Sequence, residues 1–287
     1  MVQAFDYDQA FSRNIGWVTD AEQARLRKAR VAIAGLGGVG GFHLLTLARL
    51  GIGEFNIADL DIFEAANFNR QAGAGMSTVG RPKVEVLAAM ARDINPQCRL
   101  QLYGEGVKES NLSTFFEGVD LYVDGLDFFA FGAREQVFGY CARHGIPAIT
   151  VAPLGMSAAL MNFLPGGISF EDYFQVAGRP ELDKAIRFLV GLAPALLHRH
   201  YLADQTRVNL ELHKGPSTPM ACMLCAGVAA SEALKILLAR GKVWAAPHGI
   251  QFDAYRNRLV HTWRPGGNRH PFNRLAIALA RYKLGID

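Results

Sequence analysis

Residues 31–40 read Val-Ala-Ile-Ala-Gly-Leu-Gly-Gly-Val-Gly, and the way this decapeptide folds decides the architecture of the chain. Val31–Ala34 is a continuous apolar run, the pattern of a strand buried on both faces. It breaks into glycines and then into Phe42–Leu50, a stretch of helical character. Gly35, Gly37 and Gly40 satisfy G-x-G-x-x-G, and Gly38 adds to the cluster. Such a turn brings backbone close to a phosphate at a helix N-terminus, where N–H groups and the helix dipole favour negative charge. Taken alone, the turn suits a redox dinucleotide as well as a mononucleotide.

Working outward, strand Glu54–Ala58 ends at Asp59, where a carboxylate can accept hydrogen bonds from ribose hydroxyls. Asp61 follows, in a loop from Leu60 to Val79 that is rich in Asn, Gly and acids; loops of this length in compact domains are usually functional. Asn67, Arg70 and Gln71 sit at i, i+3 and i+4, so one helical turn would aim an amide, a guanidinium and a second amide the same way. Lys83 enters just after Gly80-Arg81-Pro82 and opens a helix over Lys83–Ile94, with Val84, Leu87, Ala88 and Ala91 at helical spacing. A triphosphate being cleaved needs cations beyond the backbone cradle, because charge grows on the leaving pyrophosphate, and Arg70 and Lys83 fit that need. Asp124 and Asp127 follow the strand Val119–Val123 at its carboxyl end, where open α/β sheets bind ligands. A carboxylate there suits Mg²⁺, which prefers hard oxygen ligands and bridges to phosphates.

The remaining pattern predicts strand Arg99–Tyr103, a helix near Leu112–Phe116, a helix over Phe131–His144 closed by Gly145, and strand Ile146–Val151. Beyond Met156 the reading is a strand pair to Leu164, a helix around Leu182–Tyr201, a helix over Met220–Arg240 and a hairpin of Ile250–Ala254 with Leu259–Trp263. A basic tail from Arg264 ends in a short helix. The fold class expected is α/β: a doubly wound, mostly parallel Rossmann-like sheet with a C-terminal extension adding antiparallel strands and helices. The expected organisation is a nucleotide-binding region over 1–155, a crossover and sheet-completing region over 156–264, and the tail over 265–287.

Of the 287 residues half are hydrophobic and a fifth charged, with a formal charge of +4 and no long Lys/Arg run, so nucleic acid is not the expected partner. The N-terminus lacks a signal-peptide pattern, and no uninterrupted apolar run approaches the ~18–20 residues of a spanning helix, so a cytoplasmic protein without a membrane partner is expected. Cys98, Cys141, Cys222 and Cys225 are too few and scattered for a disulfide framework. There is no G-x-x-x-x-G-K-[ST] and no H-E-x-x-H. Gly155–Ala159 lacks the final glycine of a nucleophile elbow, and His198 and His200 lie two apart, on different faces of a helix.

With GLGGVGG, ADLD, NFNRQ, VGRPKVE and the aspartates after the fourth strand in view, the chain resembles the ThiF/MoeB/HesA family, bacterial relatives of ubiquitin-activating enzymes. The resemblance is strong over roughly 10–155 and looser over Thr218–Trp263, through PMACMLCAGVAASEALKILL and QFDAY. It implies an ATP- and Mg²⁺-dependent adenylyltransferase acting on the C-terminal carboxylate of a small ubiquitin-like or sulfur-carrier protein. Asp59 would bind ribose, Asn67, Arg70, Gln71 and Lys83 would line the triphosphate, and Asp127 would hold Mg²⁺, with Asp124 a second candidate. FSRNIGW resembles the family's short arginine motif, so Arg13 would reach the γ-phosphate, in relatives often from the partner subunit of a homodimer. The chain departs from the family in having one C-x-x-C, Cys222 and Cys225, so zinc is not expected. No cysteine lies in 152–221, where many relatives keep a catalytic thiol, and Phe128 stands where they commonly have Asn. Near a helix start, Cys222 is either an acyl acceptor of lowered pKa or a small apolar packing residue. Three other readings stay open: a relative adenylating a tRNA base or a peptide, a nicotinamide-dependent oxidoreductase, and a non-catalytic nucleotide-binding scaffold.

Overall fold

The centre of the molecule is β1 (Arg30–Ala34), flanked in parallel by β2 (Glu54–Ala58) and β4 (Leu121–Asp124), with Val31 opposite both Phe55 and Leu121. The computed structural model describes residues 4–209 and 215–286. β3 (Arg99–Tyr103) joins outside β2, and β5 (Ala148–Leu154) outside β4, both parallel. β6 (Ser157–Phe163), β7 (His248–Asp253) and β8 (Arg258–Trp263) then continue the same sheet antiparallel, giving the order β3-β2-β1-β4-β5-β6-β7-β8. The fold is therefore mixed α/β with a mostly parallel first part and an antiparallel C-terminal part. β6 is one strand folded back on β5 through Gly155-Met156, where the sequence reading has a strand pair. All seven of its residues are buried, so the reversal lies before the run and not within it.

Alternating strand residues feed two cores. Val31, Ile33, Phe55, Ile57, Leu121 and Val123 pack beneath α3 (Gly40–Arg49), α4 (Lys83–Ile94) and α9 (Pro219–Leu238). Ala32, Ala34, Ala58 and Tyr122 face the other layer: α5 (Leu112–Phe115), α6 (Phe131–His144), α7 (Phe170–Phe174) and α8 (Glu181–Leu192). By length and composition α9 is apolar enough to cross a membrane, but it packs on α3, β5 and β6 as a core helix. Before the sheet come α1 (Tyr7–Ala10), a 3-10 turn Ser12–Asn14 and α2 (Asp20–Lys28), the last held by a Thr19/Glu22 capping box.

Two C-terminal expectations are corrected. The helix read as Leu182–Tyr201 stops at Leu192, because Pro194 lacks an N–H and drives Ala193 out of helical geometry (φ −132°, ψ 61°); a separate 3-10 turn covers Leu197–His200. The tail ends in a 13-residue helix, α10 (Pro271–Lys283), rather than a short one. It lies on α8, with Ile277 against Ile186 and Val190 and Arg281 paired to the buried Asp183 at 3.0 Å.

Candidate nucleotide site

The order of strands reverses between β1 and β4, and the loops that leave them touch. Gly35 has φ +82°, and a Cβ on it would stand 2.3 Å from the Gly125 carbonyl oxygen. One on Gly40 would stand 1.8 Å from the Gly35 oxygen. No side chain fits at either position, so the turn is stripped to backbone at the start of α3, the arrangement suited to an anion.

Three side chains from distant parts of the chain rest on this turn. A Cβ at Gly37 would lie 3.7 Å from the Gln71 amide nitrogen, and one at Gly38 would lie 3.1 Å from Cys222 Sγ and 3.8 Å from Arg70 Cγ. Gln71 is buried and its Oε1 has no hydrogen-bond partner among the described residues. Arg70 Nη1 donates to the Ala66 carbonyl and Asn69 Oδ1, both at 3.0 Å. Asn67 differs from the expectation of a shared helical face. It ends a 3-10 turn, Ala65–Asn67, and its Oδ1 folds back to accept from Glu64 N at 2.9 Å, so it shapes the loop that presents Arg70 and Gln71.

Asp59 ends β2 beside the same turn, with its carboxylate accepting from Leu36 N at 2.6 Å and Asp61 N at 2.9 Å. Burial raises its carboxyl above the ordinary range, against the pull of those two N–H groups and the Lys83 charge. Lys83 is buried at the first turn of α4 and donates through Nζ to Asp61 Oδ2 at 2.9 Å. The two ends differ in exposure, 7% for the lysine side chain and 57% for the aspartate, so the acid keeps its water while the ammonium depends on a local anion.

At the end of β4 the two aspartates separate in role. Asp124 is buried and fully engaged: Arg134 Nε at 3.0 Å, Thr150 Oγ1 at 2.9 Å, Tyr122 OH at 3.1 Å and Leu126 N at 3.2 Å. Its lone pairs are held by protein donors, which leaves it ill-suited as a second metal ligand. Asp127 is exposed, with Oδ1 accepting from Phe129 N at 3.0 Å. No group of three or more His, Cys, Asp or Glu side chains gathers among the described residues. A Mg²⁺ carried on a triphosphate needs only one or two carboxylates from the protein, so Asp127 fits that demand.

Arg134 went unnoticed in the sequence. Besides Asp124, its guanidinium donates to the carbonyls of Leu126 (2.8 Å), Asp127 (2.9 Å) and Phe128 (3.1 Å) and lies over the Phe188 ring. It fixes the loop that carries Asp127. The signal was available: Arg134 falls in the buried stripe Phe131, Arg134, Val137, Phe138, Cys141, where a cation needs a reason. Phe128 is half-buried in the same aromatic packing, 5.3 Å from Phe188.

Arg13 is exposed at the opposite end of α3. Its neighbour Asn14 donates to the Leu50 carbonyl, where α3 finishes, about 15 Å of helix from the glycine turn. One chain does not bring Arg13 to the cradle. Cys222 and Cys225 are both buried in α9, and burial raises both thiols, for Cys222 against a Ser217 hydrogen bond and the Arg70 charge. That is the packing alternative and not an activated thiol; Cys98 and Cys141 are buried in the cores. Behind the cradle, His43 of α3 is fully buried with neither ring nitrogen partnered among the described residues, and burial lowers it to about 4 despite the nearby Asp124 charge.

The ThiF family model matches residues 11–273. The chain belongs to the ThiF family. It is 33% identical over 156 residues to the tRNA threonylcarbamoyladenosine dehydratase of Haemophilus influenzae, covering 54% of this chain and 59% of that one. It is 31% identical over 174 residues to the SAMP-activating enzyme E1 of Haloferax volcanii, covering 60% and 64%. Escherichia coli MccB with MccA-N7isoASN superposes with a TM-score of 0.68 at 20% identity, over 90% of this chain and 72% of that one, a likeness of fold. The matched stretches thus span less than two thirds of these curated ThiF relatives.

Proposed function

We propose that the chain is an ATP- and Mg²⁺-dependent adenylyltransferase that activates the C-terminal carboxylate of a small ubiquitin-like or sulfur-carrier protein. What carries the reading is the convergence of Arg70, Gln71 and, through Asp59 and Asp61, Lys83 on the glycine turn, with Asp127 on the loop that touches it. A redox dinucleotide has no use for a buried lysine and an arginine at that point; a triphosphate losing pyrophosphate does. The acceptor carboxylate oxygen attacks the α-phosphorus, the bond to the bridging oxygen breaks, and acyl-adenylate and pyrophosphate result. Asp59 orients the ribose. Lys83 exchanges Asp61 for phosphate oxygens, Arg70 shares the growing charge, and the Gln71 amide and the N–H groups of 37–40 position the chain of phosphates. Mg²⁺, held by Asp127, would neutralise phosphate charge when bound. Arg13, remote from its own cradle, serves the site of a second copy in a homodimer.

The identity with tRNA threonylcarbamoyladenosine dehydratases favours one second reading, in which the carboxylate belongs to a threonylcarbamoyl group on tRNA. Mg²⁺-dependent ATP–pyrophosphate exchange separates the two. Small carrier proteins are expected to stimulate exchange and tRNA bearing the modified base to leave it unchanged. The reverse result gives the site to tRNA, and ATP binding without any exchange refutes adenylation.

A further inference from the structure

The ThiF match ends at residue 273, in the first turn of α10, and this helix shows the solvent a face that the fold does not use. Phe272 (67% exposed), Leu275 (59%), Leu279 (52%) and Tyr282 (84%) follow one another at spacings of three, four and three. At 100° per residue they form one sector about 80° wide, or about 120° with the exposed Pro271 and Ala278. The opposite side packs on α8 through Ile277 and the Arg281–Asp183 pair, while the buried Asn273 donates to the Gly267 carbonyl and Asn268 Oδ1 in the turn before the helix. Arg274 borders the apolar sector on one edge and Lys283 on the other, and neither enters an ion pair among the described residues. Arg264 stands 5.7 Å over the Phe272 ring at the leading end. From Ala254 to Ile286 the sequence holds seven Arg and Lys residues and no Asp or Glu.

We propose that the outer face of α10 docks on an anionic lipid surface. A stable protein partner is disfavoured by area: a 13-residue helix is about 20 Å long and about 10 Å wide, a footprint of about 200 Å² against the ~800 Å² per side of standard interfaces. The borders carry only cations, Arg274 and Lys283, with no acid on the exposed side of the helix to pair with a partner helix. Apolar side chains with aromatic residues at both ends and cations on both borders are what an interfacial helix presents to headgroups and acyl chains. A second copy would set Arg274 and Lys283 against like charges, whereas anionic headgroups answer them at every point.

Co-sedimentation of the whole chain with phosphatidylcholine vesicles containing about 30% phosphatidylserine tests this. Binding is expected to these vesicles and not to pure phosphatidylcholine, and to fall steeply as salt rises from about 0.1 to about 0.5 M. Arg274→Ala and Lys283→Ala should each weaken partitioning about fivefold. The exposed double change Leu275→Ser, Leu279→Ser should abolish it, with an unaltered circular dichroism spectrum showing that α10 is still folded. Failure of the unmodified chain to sediment overturns the proposal. So does binding that survives the double serine change, or self-association that the same change removes while vesicles go unbound. None of these readouts depends on adenylation.

Discussion

Replacing His43 by leucine should change how stability depends on pH more than it changes stability at neutrality. The ring is fully buried without a hydrogen bond among the described residues, and burial lowers it from 6.5 to about 4. For a base depressed in this way, the unfolded chain takes up a proton below 6.5 while the native chain does not until about 4. Stability is therefore complete above 6.5 and drains away as the pH falls between those values. The full effect is about 3.4 kcal/mol, and about 2 kcal/mol of it is already lost at pH 5. Leucine has no proton to take and leaves no polar nitrogen without a partner, so His43→Leu should match or exceed the parent near pH 7. Urea unfolding of both proteins at about pH 7 and about pH 5, extrapolated linearly, gives the comparison. Other histidines and carboxylates cancel in the difference. If parent and variant lose the same stability between the two conditions, His43 is either protonated in the native state or in contact with water, and the dry packing behind the cradle is wrong.

Two other substitutions probe the cradle directly. Lys83→Met keeps the apolar stem and leaves Asp61 half-exposed in water, so its thermal midpoint should move by only a few degrees. Its exchange rate should fall by about 10²–10³, the usual loss of one preorganised charge; unchanged exchange would remove Lys83 from the site. Arg134→Met strands the Asp124 carboxylate and frees three loop carbonyls, and calorimetry should show a loss of about 3–5 kcal/mol. Arg134→Met with Asp124→Asn, which removes the buried charge and keeps an acceptor for Tyr122, Thr150 and Leu126, should recover part of it; no recovery would mean that the stranded charge is not the source of the loss.

The first half of the fold is legible because local signals and tertiary need coincide there. Val31–Ala34 is apolar on both faces because both layers cover it, and Gly35 and Gly40 of the turn that follows have no room for a Cβ. Asp59 and Lys83 are legible for the same reason, each standing at the end of a regular element. Asn67 is not, because its side chain satisfies a backbone N–H within its own loop and so never joins the face that its spacing suggests. Arg134 hides inside an amphipathic pattern, where hydropathy records a polar interruption and not the four oxygens that it meets. Arg13 shows another limit: a motif names a residue, but its place depends on how α1 and the following turn fold against the end of α3.

Gly38 and Cys222, remote in the chain, behave as one position. A methyl on residue 38 would stand 3.1 Å from the sulfur, so an alanine there requires Cys222 to give by a few tenths of an ångström, and a bulkier residue at 222 would press on the phosphate turn without touching it in sequence. Drift at the start of α9 is thereby coupled to drift in the nucleotide loop, and the two should be exchanged together when segments of this chain are grafted onto a relative.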